Sequence, residues 1–242
     1  MYIDAEKCVK CGLCQPYCPM GCIKAGEDAM YIELEECVEC GICERNANCP
    51  TKAINQSFLE MPRAVRKAFS DPFGKHENTE LKHMGRGTEE IKTNDVTGIV
   101  HSMDRVAVAV EVGRPGVGAY FRDVEILTKA ISKYEIEYEK NNPLTPYVID
   151  KSTGEIEPDI LNEKVLSVII EFGCNVDDLE DILAALKEVQ YDVDTVFSVA
   201  VISKVDENNK SSVEDLLLKN GYQIRSASSK TNVGLGRPLY ED

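Results

Sequence analysis

The chain contains no tryptophan, only three histidines and no apolar run that approaches the length of a membrane span. Aromatic residues make up 7% of it. That is too few to favour a large aromatic pocket for a flavin or a base, although a flavin stays open. Positive charge is scarce as well. The 27 Lys and Arg face 42 Asp and Glu, for a net charge of −15. Residues 1–60 hold five basic against ten acidic side chains, so the acidity is spread along the chain. Nucleic-acid binding is disfavoured, because phosphates need a basic face. No P-loop is present, and Gly113-x-x-Gly116-x-Gly118 departs from the dinucleotide pattern of glycines. An apolar leader of the secretory kind is missing too, since strand-like sequence starts at Tyr2. The expectation is a cytoplasmic protein with no nucleic-acid partner and no membrane partner.

Against these absences stand ten cysteines, eight of them in the first fifty residues. They form two near-copies of one pattern. The first is Cys8-x-x-Cys11-x-x-Cys14-x-x-x-Cys18-Pro19, and the second is Cys37-x-x-Cys40-x-x-Cys43-x5-Cys49-Pro50. Thiolates at that spacing are the ligand set of cubane 4Fe-4S clusters, and two copies predict two clusters. Three cysteines on one tight loop reach three corners of a cubane, and the fourth ligand has to arrive from elsewhere. Gly12 and Gly41 follow the second cysteine of each triplet, where the loop turns sharply. Two other readings compete. Disulfides are disfavoured, because the triplets sit too close for mutual pairing and no leader points to an oxidising compartment. Zinc is disfavoured because it takes paired cysteines or histidines rather than triplets followed by Cys-Pro. So many cysteines held for iron–sulfur chemistry imply a reducing, anaerobic setting.

Residues 1–56 resemble a bacterial-type dicluster ferredoxin. The lead-ins Tyr2-Ile3-Asp4 and Tyr31-Ile32-Glu33 and the run Cys49-Pro50-Thr51-Lys52-Ala53-Ile54 carry the likeness along with the cysteines. In such proteins the Cys-Pro cysteine ligates the opposite cluster. The resemblance therefore implies one cluster on Cys8, Cys11, Cys14 and Cys49, and another on Cys37, Cys40, Cys43 and Cys18. Two departures stand out. Five residues, Glu44 to Asn48, precede the last cysteine of the second motif where the first motif has three, which implies a local bulge. Cys22 stands where the second copy has Ala53. Its expected role is that of a small buried neighbour of a cluster, with a spare ligand as the alternative. Cys174, between Gly173 and a predicted helix start, is read as a structural or partly exposed thiol, with a lowered pKa at the helix end as the alternative.

The remainder is long enough for a further domain. The expected division is a dicluster domain at 1–56, a linker at 57–98 and an α/β domain at 99–242. The linker is expected to hold one short helix, Met61 to Phe69, with a basic face of Arg63, Arg66 and Lys67. Past it, Arg105 to Val112 reads as a strand, Arg122 to Tyr134 as a helix with Asp123 near its start, and residues 135–164 as strand or hairpin. Val165 to Phe172 is predicted as a strand. Asp177 to Val189 follows as a helix, with Asp177 and Glu180 at capping-box spacing. Val196 to Val205 is a strand, Ser211 and Glu214 open a helix that stops at Gly221, and Gln223 to Ser229 is a last strand. At an offset of sixty, Val108-Ala109-Val110-Glu111-Val112-Gly113 matches Val168-Ile169-Ile170-Glu171-Phe172-Gly173. The fold class is therefore α+β: a dicluster unit followed by an α/β sandwich, ferredoxin-like or open-sheeted, with an internal β-α repeat.

Three Gly/Arg signatures, Gly85-Arg86-Gly87, Gly113-Arg114-Pro115-Gly116 and Gly234-Leu235-Gly236-Arg237-Pro238, suggest an anion site built from Arg86, Arg114 and Arg237. The bland reading is a turn whose arginine pairs with an acidic neighbour. Glu111 and Glu171 are candidate acid/base carboxylates at strand ends, although residues of that kind are more often salt-bridged. His76, His83 and His101 are scattered. Gly85-Arg86-Gly87-Thr88-Glu89-Glu90, Lys92-Thr93-Asn94-Asp95-Val96-Thr97-Gly98 and Glu111-Val112-Gly113-Arg114-Pro115-Gly116-Val117-Gly118 resemble the iron–sulfur part of 6-hydroxynicotinate reductase-like proteins of anaerobes. Residues 1–130 carry that likeness, and it implies ferredoxin-coupled reduction of an activated ring. Three functions follow in order of preference. The first is electron transfer to a redox partner, a catalytic subunit or the chain's own second domain. The second is a ferredoxin-dependent reductase of a small anionic substrate. The third is a second domain that binds a small anion or a partner.

Overall fold

The computed structural model describes residues 1–73, 98–114, 116–211 and 213–222. Its N-terminal unit consists of β1 (Tyr2–Ile3), β2 (Ile23–Ala25), β3 (Met30–Ile32), the short helix α1 (Ile42–Asn46) and β4 (Ile54–Asn55). β1 pairs with β4 and β2 with β3, all antiparallel. The strands are short because the chain between them is committed to the cysteine loops. In the first motif a 3-10 turn, Gln15–Tyr17, fills the gap before Cys18. In the second, the longer gap is taken up by α1 and a left-handed Asn48 (φ 47°), not by the expected bulge.

Helix α2 (Ala64–Ser70) follows. The C-terminal unit then runs through β5 (Arg105–Val112), β6 (Ala119–Tyr120), α3 (Phe121–Ile131), β7 (Ile136–Tyr138), β8 (Val148–Asp150), β9 (Glu155–Ile156), β10 (Lys164–Val165), β11 (Val168–Asn175), α4 (Val176–Glu188), β12 (Phe197–Ser203) and α5 (Glu214–Lys219). Its main sheet has the order β12-β5-β11-β7, with every neighbouring pair antiparallel. The chain thus makes two strand-helix-strand passes, β5-α3-β7 and β11-α4-β12.

Alternation explains the layers. Val106, Val108, Val110 and Val112 of β5 share one face with Ile170 and Phe172 of β11, and all six are buried in one core. Phe121, Val124, Leu127 and Ile131 of α3 join them, as do Leu179, Ile182, Leu183 and Leu186 of α4, each set at helical spacing. The opposite face of β5 carries Arg105, Ala107, Ala109 and Glu111; Ala107 packs with Ile99, Val100 and Ile202. The two strands matched in sequence lie side by side in the middle of the sheet, with Val112 opposite Val168 and Val108 opposite Phe172.

Several expectations are adjusted. The helix expected from Asp177 starts at Val176, and its first turn is closed by Asn175, whose amide donates to Asp178 at 3.2 Å. Cys174 is fully buried within β11, where burial pushes its thiol up to about 12, so it is neither exposed nor activated. Asp123 does cap α3, accepting from the N–H of Tyr120 at 3.3 Å and from that of Asp194 at 3.1 Å. The strand expected at 223–229 lies outside the described residues. No helix among the described residues is long and apolar enough to cross a membrane.

The stretch expected as a linker is where the two units are joined. Val65 and Phe69 of α2 belong to the C-terminal core, and Phe69 meets Phe121 edge-on at 5.2 Å between ring centroids. The other side of the same helix holds the N-terminal unit. Arg66, expected on a solvated basic face, is 2% exposed. Its Nη1 donates to the carbonyls of Leu34 (3.1 Å), Glu35 (2.8 Å) and Cys37 (3.0 Å), while its Nε pairs with Glu163. Lys164 adds a second ion pair, to Glu36. Removing one partner of a buried pair leaves the other charge uncompensated. Arg66→Met should therefore cost about 3–5 kcal/mol in anaerobic urea unfolding. Arg66→Lys should recover little of this, because an ammonium lacks the planar fork that reaches carbonyls and carboxylate together. A loss below about 1 kcal/mol in Arg66→Met would show that the contact is no more than a surface pair.

Candidate metal centre

The eight motif cysteines gather around two hollows of nearly equal size. One, of about 320 Å³, is lined by Cys8, Cys11, Cys14 and Cys49. The other, of about 310 Å³, is lined by Cys18, Cys37, Cys40 and Cys43, with Cys22 beside them. The linings correspond residue by residue: Ile3 with Ile32, Val9 with Val38, Gly12 with Gly41, Met30 with Met1, and Ile54 with Ile23. In each hollow the cysteine that precedes proline comes from the opposite motif. The loops repeat one backbone course as well. Lys10 and Glu39 are left-handed (φ 54° and 58°), and so are Gly12 and Gly41 (φ 73° and 69°). Positive φ at the glycine positions turns the chain so that the flanking thiols point inward, and a Cβ there would be strained. At Gly41 such a Cβ would also stand 2.5 Å from the Arg45 guanidinium.

Backbone N–H groups are aimed at the sulfurs. Lys10 and Met30 donate to Cys8 Sγ at 3.4 Å, Cys22 to Cys18 Sγ at 3.3 Å, and Ala53 to Cys49 Sγ at 3.3 Å. Burial works against ionisation. It pushes the Cys14 and Cys40 thiols up, and that of Cys43 up to about 12. As thiolates these three need positive charge beside them. No three His, Cys, Asp or Glu side chains among the described residues converge closely enough to hold a single ion. The thiols surround a volume instead, which is what a polynuclear iron–sulfur core requires of its ligands. The donor set, the shape and the N–H···S bonds all fit that group.

The two hollows differ in their surroundings. Cys11 is exposed and Cys8 half-buried, whereas Cys37, Cys40 and Cys43 are buried. The second loop is also held by three arginines. Arg66 takes the Cys37 carbonyl, Arg45 takes that of Cys40 at 2.6 Å and pairs with buried Asp71, and Arg63 pairs with buried Glu39 at 2.7 Å. Sequence reasoning placed Arg63 and Arg66 on a basic helix face and gave none of the three a role at the cysteine loop. The one available signal was that α2 carries Val65 and Phe69 on either side of Arg66, leaving a short helix little room for a solvated face. Past Cys18, Pro19 and Met20 lie against Gly116 and Gly118: a Cβ on Gly118 would come within 2.8 Å of Met20 Cε.

Arg114 is half-exposed; it donates to Ser167 Oγ at 3.2 Å and lies 3.8 Å from Glu111. Arg86 and Arg237, like His76 and His83, lie outside the described residues. Glu111 and Glu171 sit on neighbouring strands, opposite Ile169 and Ala109. Glu171 is buried and accepts from Asn142 Nδ2 at 2.7 Å. His101 is exposed, and its carbonyl accepts from Lys204.

A family model described as a 4Fe-4S binding domain matches residues 1–24. That segment is of the iron–sulfur, ferredoxin type, which gives the chain the capacity to bind a 4Fe-4S cluster and transfer electrons. No curated protein matches the chain, and no solved structure does. Cysteines supply much of the N-terminal core, with Met1, Ile23, Met30, Ile32, Ala47 and Ile54 as its other buried members. So small an apolar core is marginal without its inorganic component. Stripping iron with a chelator should bleach the visible absorbance and make residues 1–56 sensitive to protease, while residues 105–203 stay protected. Unchanged protection of residues 1–56 would show that the unit folds without metal.

Proposed function

We propose that the protein is an electron-transfer protein with two 4Fe-4S centres, one on Cys8, Cys11, Cys14 and Cys49 and the other on Cys18, Cys37, Cys40 and Cys43. In this reading it is a dicluster ferredoxin unit joined to an α/β sandwich of two split β-α-β passes. The observation that carries it is the matched pair of four-cysteine hollows. A cubane, when bound, supplies a one-electron couple of low potential. The chain provides the thiolates, the N–H groups that stabilise them and the apolar walls that keep water away. The hollow with exposed Cys11 is the side on which a donor docks, and the hollow beside the C-terminal unit is the exit. The acceptor is that unit itself or a redox partner protein bound to it.

A second reading, a ferredoxin-dependent reductase of a small anion, draws support from the loop that carries Arg114. It packs on the Pro19–Met20 turn, immediately after a ligand of the second hollow. In that reading Arg114→Ala lowers turnover without loss of iron.

Anaerobically reconstituted protein should hold about eight irons per chain, and Cys14→Ala and Cys43→Ala about four each. Each single variant should keep one reductive wave. About four irons in the unaltered chain would remove the two-centre reading.

A further inference from the structure

The second hollow has a fifth thiol with no counterpart in the first. Cys22 is 3% exposed, and its Sγ lies 3.3 Å from that of Cys18. Its backbone N–H also donates to Cys18 Sγ, at 3.3 Å. At the matching place in the first hollow, Ala53 donates its N–H to Cys49 Sγ over the same distance, and its methyl group brings no second donor. The backbone bond is therefore common to both hollows and identifies Cys18 as the equivalent of Cys49. The Cys22 side chain is the addition, and it sits on one centre only.

We propose that Cys22 donates an S–H···S hydrogen bond to the Cys18 thiolate and thereby sets the second centre at a higher reduction potential than it would otherwise have, an inference that rests on the two-centre reading above. Once Cys18 ligates iron its sulfur carries no hydrogen, so of the two sulfurs only that of Cys22 can be the donor. The sign follows from charge. A donor aimed at a ligand sulfur stabilises the reduced, more negative state more than the oxidised one, and hydrogen bonds to sulfur are among the levers that tune such centres. On Cys49 the side-chain counterpart is the Thr51 hydroxyl, at the longer distance of 3.7 Å. The bond biases the electron toward the hollow that abuts the C-terminal unit, away from the exposed one. Cys22 is thus a tuning residue and not a ligand: Cys18, Cys37, Cys40 and Cys43 already supply one thiol for each corner.

Cys22→Ala in the full chain, prepared anaerobically beside the unaltered protein, tests this by iron analysis and EPR-monitored potentiometric titration. Ala53 shows that alanine fits the niche, being 1% exposed at the matching place. Both proteins should hold about eight irons. In the variant one midpoint should fall by about 59 mV, a tenfold shift in a one-electron equilibrium, while the other stays in place. Cys22→Ser keeps a donor and should lie in between. In a Cys14→Ala background, where only the second centre remains, the single wave should show the same fall. Full iron content with no midpoint moved would overturn the inference and leave the two-centre reading standing. Loss of about four irons from Cys22→Ala would overturn it by making Cys22 a ligand. Only about four irons in the unaltered chain would remove the two-centre reading and this inference together.

Discussion

The buried guanidinium of Arg66 is the contact on which the arrangement of the two units depends. One nitrogen serves three carbonyls of the second cysteine loop, those of Leu34, Glu35 and Cys37, and another neutralises a carboxylate of the C-terminal unit. A lone buried charge costs several kcal/mol, so parting the two units at this point is expensive. The same helix turn places Val65 and Phe69 in the C-terminal core. Polar and apolar anchoring thus come from adjacent residues, and the position of the second cysteine loop is tied to the packing of the sheet domain.

That tie makes two sequence-related halves physically unequal. Their backbones follow one course and their linings correspond, yet one loop is held by Arg45, Arg63 and Arg66 and is buried, while the other exposes Cys11. Cys22 and Ala53 extend the inequality to the sulfurs. A repeat in sequence has become a pair of sites with a near and a far end relative to the C-terminal unit. A carrier that must pass charge in one direction needs that kind of asymmetry.

Much of this was legible in the sequence, for identifiable reasons. The cysteine spacing announced the iron–sulfur segment because ligand geometry leaves few alternatives. Strand β5 was bounded correctly at Arg105 and Val112 because strict alternation of valine with small or polar residues has one structural solution. The offset match of β5 and β11 was visible, but their antiparallel adjacency was not, since repeats say nothing of pairing. Arg66 was misplaced because a basic residue on a short helix ordinarily faces water; its partners are carbonyls some thirty residues earlier and a glutamate nearly a hundred residues later. The cap of α4 was shifted from Asp177 to Asn175 by a strand that ran three residues past Phe172, where its apolar pattern ends. The Gly/Arg loops remain the least legible part, because Arg114 is occupied by Ser167 and Glu111 and its expected companions lie outside the described residues.

Many redox modules ride on a tether and swing between a donor and an acceptor. Here the chain that leaves the cysteine unit enters α2 directly, and α2 is locked on both sides. Among the described residues the unit has no free arm toward the C-terminal unit on which to move. In the proposed two-centre reading, charge delivered to the far hollow would travel along a fixed line through the near one, and a change of partner would require the partner, not the cysteine unit, to do the travelling.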